Sequence, residues 1–421
     1  MPPPDEFRPT VTFVGSGRGG DPTKFWKREA LADYEWIENF VSKPAAMQKA
    51  VAEIILPDDQ PETKLQKIYA RVQQLRNISF DEATSEKELK RENDLQNRNA
   101  EDVWKNQSGG WLDLNRLFLG LVRAAGFEAY AVFVSTRDTY FFKPELMISS
   151  QLNHTVILVR IAGADRYFDP GTEFTPYGYL PWAESSVRGL RLDKEGGSWV
   201  STTMSPSSGS VVSRTADLKV TETGGVAGTL RVTCTGLEAL WRRMDERSED
   251  EVARKKFLED DVKEWLPPGF KVELRNGPDW KNSAAPFVAE FNIKGENWAV
   301  PAGRRMLIPV GLFAAYEKTL FVPESRVYPV YYHFPYETRD EISFNLTPGW
   351  TVSIVPANQE VDLNLVAYQL KVENRQGSAH ITRVLKVDFI LLEPKYYGSL
   401  RNFFGQVRSS DRGLIVAEPG S

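Results

Sequence analysis

The sequence has very little of the usual nucleophile and metal chemistry. In 421 residues there is one cysteine, Cys234, and three histidines, His154, His333 and His380. A lone cysteine makes no internal disulfide, and its alternation with Leu230 and Val232 reads as a buried strand position. Histidines this far apart build no His-rich zinc motif, and no metal-ligand cluster is legible, so neither a metal nor another cofactor is expected. Walker loops and dinucleotide fingerprints are missing too. Charge of one sign is lacking: 52 Lys+Arg stand against 57 Asp+Glu, a net charge of −5 mixed along the chain. That balance argues against a general electrostatic nucleic-acid binder. Apolar runs such as 310–316 are too short for a membrane span, and the opening MPPPDEFRPTVTF lacks the basic-then-apolar build of a signal peptide.

What is present is ordinary in amount and uneven in placement. Hydrophobic residues make up 41% and charged residues 26%, as in folded globular chains. The length predicts two or three domains, each able to bury its own core. Residues 1–20 are rich in Pro and Gly, with a short strand candidate at 11–14. Asp21-Pro22 is a helix start, a cap followed by Pro at the first helical position. That helix reaches about Val41, with Phe25, Trp26, Ala32, Trp36, Ile37 and Phe40 as inward candidates. Pro44 opens a second helix, with Ala46, Ala50, Val51 and Ile54 on its apolar side. Pro61 opens a third, running to about Leu75, with Leu65, Ile68, Tyr69 and Val72 at helical spacing. The charge-dense stretch 81–102 reads as a solvated loop or surface helix.

Ser108 to Pro170 is the stretch on which the chain is organised. A Gly109-Gly110 turn leads into a helix whose Leu114, Leu117, Phe118, Leu121 and Val122 share one face, with a stop at Gly126. The strand Ala129–Val134 follows. His154 stands on the next strand, and Asp169 ends a further one.

This order of helix N-terminus, His on one strand and Asp on the next resembles the bacterial transglutaminase-like superfamily, which shares the papain-like Cys-His-Asp arrangement. In that family the nucleophilic Cys opens the helix, two residues before an acidic position and ahead of a leucine-rich run ending in Arg-x-x-Gly. Laying Asp113, Leu117, Arg123 and Gly126 on that pattern puts Trp111 at the nucleophile position. His154 and Asp169 match the second and third members. The chemistry of the missing residue is specific: acyl transfer of this kind needs a thiolate, activated by a helix N-terminus and a nearby imidazolium. Indole offers one N–H donor, no acceptor and no group that ionises to a nucleophile.

The resemblance implies an α+β architecture, a transglutaminase-like domain over 21–195 followed by a mainly antiparallel β-sandwich domain with helical insertions over 210–421. Residues 196–209, GGSWVSTTMSPSSG, read as the linker. Relatives often carry a further β-rich domain in front, so 1–20 reads as its remnant strand or linker. Met1 would then be an internal methionine of a longer protein, or a chosen start; if a signal peptide was lost with the missing part, the location expected is periplasmic or extracellular, and otherwise the sequence leaves it open.

In the second half the texture turns to alternation. Strands are expected over 213–223 and 228–234, helices over 236–247 and 250–265, and a strand around Phe287–Ile293. Hairpins are expected around Pro348-Gly349, joining Ile342–Leu346 to Trp350–Ile354, and around Gln376-Gly377. Pro394 opens a last helix with Tyr397, Leu400, Phe403, Phe404 and Val407 on its apolar side. His380 reads as a strand-edge residue. This half resembles the β-rich domain of unknown function that follows the transglutaminase-like part in such proteins.

The functional expectation is a pseudoenzyme. His154 and Asp169 form a relic dyad, and Trp111 and Asp113 are candidate binding residues of a cleft kept for a peptide, a glycan or a partner protein, or as scaffold. The alternative is a hydrolase or acyl transferase in which His154 and Asp169 act on water or through a non-cysteine nucleophile.

Overall fold

The apolar stripe at Leu114, Leu117, Phe118, Leu121 and Val122 makes a helix with almost no contact with water, each of these residues being no more than 1% exposed. The computed structural model describes residues 3, 6, 20–81, 97–314, 320–375 and 377–420. They form a mixed α+β chain in two units, one within Pro3–Met204 and the other within Ser205–Ser421. The strand candidate at 11–14 and residues 82–96 of the charged stretch lie outside the described residues.

In the N-terminal unit, α1 (Pro22–Val41), α2 (Pro44–Ile54), α3 (Pro61–Gln73) and α4 (Ala100–Asn106) surround the stripe helix, α5 (Trp111–Ala124). Asp21 caps α1 by accepting from the Thr23 backbone N–H at 2.9 Å, one of the donors that a helix start leaves unpaired. Gly126 ends α5 in the left-handed region, with φ of 93°. Its N–H reaches Arg123 O at 3.0 Å and the Phe127 N–H reaches Val122 O at 3.1 Å, the paired closure of a Schellman motif. Trp36, expected inward, is 48% exposed. Its ring lies 3.4 Å from the Arg116 guanidinium carbon, so it covers a buried cation rather than filling the core.

The sheet of this unit has five antiparallel strands in the order β5-β4-β3-β6-β7. They are β3 (Glu128–Val134), β4 (His154–Ile161), β5 (Ala164–Phe168), β6 (Arg188–Arg191) and β7 (Ser198–Ser201). Ahead of them, β1 (Arg76–Asn77) and β2 (Ser108–Gly109) form a short parallel pair at the entry to α5. β7 falls inside the stretch 196–209 that reads as a linker from its composition, and is a strand because Ser198–Ser201 pairs with β6. β4 is buried on both faces: Ile157 and Val159 join the helical core, while Val156 and Leu158 pack with Val132, Val134, Tyr167, Leu180 and Val187. A strand covered on both sides carries a continuous apolar run, and TVILV is that run.

The C-terminal unit holds an eight-stranded sheet and a four-stranded sheet that share one core with the last helix. In chain order its elements begin with β8 (Val211–Val220), β9 (Val226–Cys234), α6 (Gly236–Asp245), α7 (Glu251–Trp265), β10 (Lys271–Asn276) and β11 (Phe287–Gly295). β12 (Val300–Ala302), β13 (Arg305–Pro309), β14 (Val330–Tyr331), β15 (Tyr336–Asn345), β16 (Trp350–Ile354) and β17 (Gln359–Asp362) follow. The chain closes with β18 (Val366–Arg375), β19 (Ser378–Val387), β20 (Leu391–Leu392), α8 (Tyr397–Asp411) and β21 (Leu414–Pro419). All pairs of the large sheet are antiparallel except β8 with β15.

Two expectations fail here for a common reason. Ile342–Leu346 and Trp350–Ile354 do not form a hairpin: β15 is flanked by β8 and β19, so both of its edges are occupied, and β16 pairs with β21 in the smaller sheet. His380 is not at an edge, because β19 lies between β15 and β18, and its Nδ1 is 3.1 Å from Ser343 Oγ. The second hairpin does form, with Arg375 opposite Ser378.

Candidate functional site

Four local starts and stops bring the site together. Trp111 opens α5, His154 opens β4, Asp169 follows β5, and Glu184 ends the short 3₁₀ turn Trp182–Glu184. Phe168 pairs with Ile157 across β5 and β4, which sets Asp169 beside the first residues of β4. The stripe of α5 that carries Phe118 and Val122 also carries Asn115 and Trp111, at helical spacing.

His154 Nε2 lies 3.1 Å from Glu184 Oε1 and 3.6 Å from Asp169 Oδ2. It has hydrogen-bond geometry with neither, and Asp169 Oδ2 and Glu184 Oε2 are likewise buried without a hydrogen-bond partner. Asp169 is 0% and Glu184 3% exposed. One face of the imidazole is covered by Trp111, whose ring stacks on it with centroids 4.1 Å apart and planes 14° from parallel. Among the described residues no hydroxyl or thiol hydrogen-bonds the His154 side chain. The chain's single thiol is a poor candidate in its own right: Cys234 is fully buried, and burial pushes it up to about 12.

The carboxylates are held from behind. Asp169 Oδ1 accepts from Asn115 Nδ2 at 2.7 Å, Gly171 N at 3.0 Å and Thr172 N at 3.2 Å. Asn115 also donates to Thr155 O at 2.8 Å and accepts from Gly171 N at 2.8 Å, so it ties α5, β4 and the 169–172 turn together. Asn77 Nδ2 donates to Gly171 O at 2.6 Å. The turn comes so close to the helix that a Cβ on Gly171 would lie 2.2 Å from Trp111 O. Behind Glu184, buried Arg137 fixes the turn: its N–H reaches Ala183 O at 2.9 Å, and its guanidinium reaches Ser185 O at 2.9 Å and Ser185 Oγ at 3.2 Å.

The two carboxyls respond differently to burial. Burial pushes Asp169 up, but the adjacent His154 imidazole, with hydrogen bonds from Thr172 and Asn115, outweighs it and holds the group below the usual carboxylate range. Burial and the charge of Asp169 push Glu184 well above that range. Asp113 is engaged elsewhere, accepting from Asn97 Nδ2 at 3.3 Å. Its carboxyl is raised by burial, against the lowering effect of Asn97, Arg116 and the Gly110 N–H.

The structure therefore places Trp111, His154 and Asp169 in one cluster and turns Asp113 toward Asn97. It adds Glu184, Asn115, Asn77 and Arg137, none of which sequence reasoning singled out. Asn115 carried a readable signal, a polar residue on an otherwise apolar helical stripe. Glu184 carried none, lying in an irregular stretch rich in Pro, Gly and aromatics. The donor atoms of His154, Asp169 and Glu184 lie within 4.8 Å of one another, a grouping of one nitrogen and two oxygens that can hold a proton or a cation.

Fold and site together define a two-unit α+β chain with a buried His–Asp–Glu cluster beneath a stacked indole. Residues 304–417, within the C-terminal unit, match the family model of a domain of unknown function with a solved structure, DUF3858. The chain is also similar to a crystal structure of a protein from Parabacteroides distasonis provisionally described as a protease, with a TM-score of 0.50 and 8% identity over 93% of this chain and 58% of that one. At this identity the likeness is one of fold alone, and the chain spans little more than half of that protein's length. No curated protein matches. No helix among the described residues is long and apolar enough to cross a membrane.

Proposed function

We propose that the N-terminal unit is a transglutaminase-like domain disarmed at its nucleophile, kept as a binding or scaffold module and followed in the chain by a β-sandwich domain. The observation that carries this reading is the stack of Trp111 on His154, at 4.1 Å. Trp111 opens the helix where the family's thiol would sit, and its indole covers one face of the imidazole whose ring nitrogen would activate such a nucleophile. The His154–Asp169 pair persists behind it, with Asp169 fixed by Asn115 as an orienting carboxylate would be. Trp111 itself is half-buried and offers an aromatic surface for a peptide, a glycan or a partner protein.

The test is Trp111→Cys against wild type, read by iodoacetamide alkylation and by amine incorporation into glutamine peptides. Wild type is expected to be inert in both, since its single thiol is buried. The variant's new thiol is expected to react at neutral pH faster than an ordinary cysteine, and to lose that advantage when His154→Ala is added. Turnover by wild type would overturn the reading. So would a variant thiol no more reactive than one in the unfolded chain.

A further inference from the structure

The cluster behind Trp111 has more polar capacity than a relic dyad needs. Three atoms, His154 Nε2, Asp169 Oδ2 and Glu184 Oε2, are buried and have no hydrogen-bond partner. Buried polar atoms are nearly always paired, so three unpartnered ones on residues whose donor atoms lie within 4.8 Å of one another call for a ligand. The second oxygen of Asp169 is already saturated by Asn115, Gly171 and Thr172, which aims Oδ2 at the other two donors. Arg137 fixes the turn that carries Glu184. Outer contacts of this kind, orienting each ligand while leaving one atom free, are what metal sites use to hold their first ligands in place.

We propose that His154, Asp169 and Glu184 form a three-donor site for a first-row divalent cation, zinc by preference, independent of whether the cleft above it binds or catalyses anything. Spacing supports the assignment. With bonds of about 2.0–2.2 Å, two ligands of a tetrahedral zinc sit roughly 3.4 Å apart. His154 Nε2 stands 3.1 Å from Glu184 Oε1 and 3.6 Å from Asp169 Oδ2, on either side of that figure, and the other Glu184 oxygen, Oε2, is the one left without a partner. Donor chemistry supports it as well. One imidazole nitrogen with two carboxylates suits zinc and its neighbours, whereas calcium and magnesium take oxygen ligands in larger number. Three protein ligands leave a fourth position for water or an exogenous group, reached past His154, the only one of the three whose side chain is appreciably exposed, at 17%. Such an ion would staple β4, the 169–172 turn and the 182–184 turn to one another. It also accounts for an imidazole kept in place with no nucleophile to serve.

The experiment uses the full chain, stripped with a chelator and titrated with zinc against a chromophoric competitor, with metal content counted by mass spectrometry. We expect one zinc per chain, a rise in thermal unfolding temperature that chelator reverses, and at least a hundredfold loss of affinity in both Glu184→Gln and His154→Gln. Wild type substituted with cobalt is expected to show the visible absorption of a tetrahedral N/O site, a readout that needs no variant to fold. Wild type that takes up no zinc at micromolar free metal overturns the proposal and leaves a proton as the cluster's occupant. Uptake that both variants retain overturns it too, since the metal would then be adventitious at the surface. An octahedral, aqua-like cobalt spectrum has the same consequence.

Discussion

Removing one carboxylate from the C-terminal unit should leave it barely stable. Arg214, Asp340 and Arg383 are register partners across β8, β15 and β19. Asp340 takes Arg214 Nε at 2.6 Å on one oxygen and Arg214 Nη2 at 3.0 Å on the other, with Arg383 Nη1 at 3.4 Å. Arg383 in turn makes a two-point contact with Asp411 of α8 at 2.8 and 3.0 Å, and Tyr368 donates to Asp411 at 2.8 Å. Both Arg side chains, Asp340 and Asp411 are at most 4% exposed. The set is neutral as a whole, so its desolvation is met by internal partners. Asp340→Ala leaves Arg214 buried without a hydrogen-bonded carboxylate, against the rings of Trp265 and Phe313, 5.1 and 4.8 Å away, and with Asp261 as its nearby opposite charge. An uncompensated buried charge of this kind costs about 3–5 kcal/mol, against a total of roughly 5–15 kcal/mol for a folded domain. With a slope of about 2 kcal/mol per molar urea, the unfolding midpoint should fall by about 2 M, with loss of amide protection centred on β8, β15 and β19. The double replacement Arg214→Met, Asp340→Leu should recover most of that loss, because Arg383 keeps Asp411. A single variant within about 0.5 M of wild type would refute the reasoning, as would a double variant weaker than the single.

Two further outcomes follow from the N-terminal unit. Gly171→Ala drives a Cβ to within 2.2 Å of a backbone oxygen of Trp111; helix and turn must part, and thermal unfolding should register a loss near the upper end of the roughly 1–3 kcal/mol typical of overpacking. Asp33 on α1 is raised to about 6, by burial and then by Glu29 one turn away. The folded chain therefore holds that proton more tightly than the unfolded one, so the stabilisation from it is complete below about pH 4 and lost as pH rises through about 6. For a fully buried group the effect would approach about 3 kcal/mol; half-exposed and screened, it should be about 1 kcal/mol. Asp33→Asn should accordingly be more stable than wild type at pH 7.5 by that amount and equal to it at pH 4, and a difference independent of pH would contradict the assignment.

Local periodicity made the elements readable, while pairing across distance stayed hidden. The stripe of α5, the Pro-opened helices and the Tyr397–Val407 face of α8 each declare themselves within a few turns, because burial on one side of a helix repeats in the sequence. β16 shows the limit. Its alternation marks it as a strand, but its partner is decided by whether β15 has a free edge, and that depends on β8 and β19 more than a hundred and about forty residues away in the chain. The site divides the same way. Trp111, His154 and Asp169 stand at helix and strand ends, where a motif can be counted off. Asn115 was hidden only by the habit of reading a stripe for its apolar members. Glu184 reaches His154 through an irregular turn whose position is set by Arg137, and no spacing rule connects residue 137 to residue 184.

The surroundings of His154 bear on why the cluster is built as it is. A domain that used this region only for support would do better with apolar side chains, since replacing buried charges by well-packed hydrophobic groups is neutral or stabilising by about 1–4 kcal/mol in comparable cases. Instead the fold commits Asn115, Asn77 and Arg137, all buried, to holding two carboxyls and the turns that carry them. Those scaffolding groups are fully engaged while the atoms they present, Nε2, Oδ2 and Oε2, are not. Groups oriented from behind while Nε2, Oδ2 and Oε2 are left without hydrogen-bond partners are the pattern of a site prepared for an occupant. Trp111 does not supply that occupant, because it stacks on the flat face of the imidazole while the two carboxyls stand at its Nε2 edge. The stacked indole and the acid cluster are thus separable features of this chain: Trp111 covers one face of the His154 ring, while Nε2 at the ring's edge stands in the company of two carboxyls.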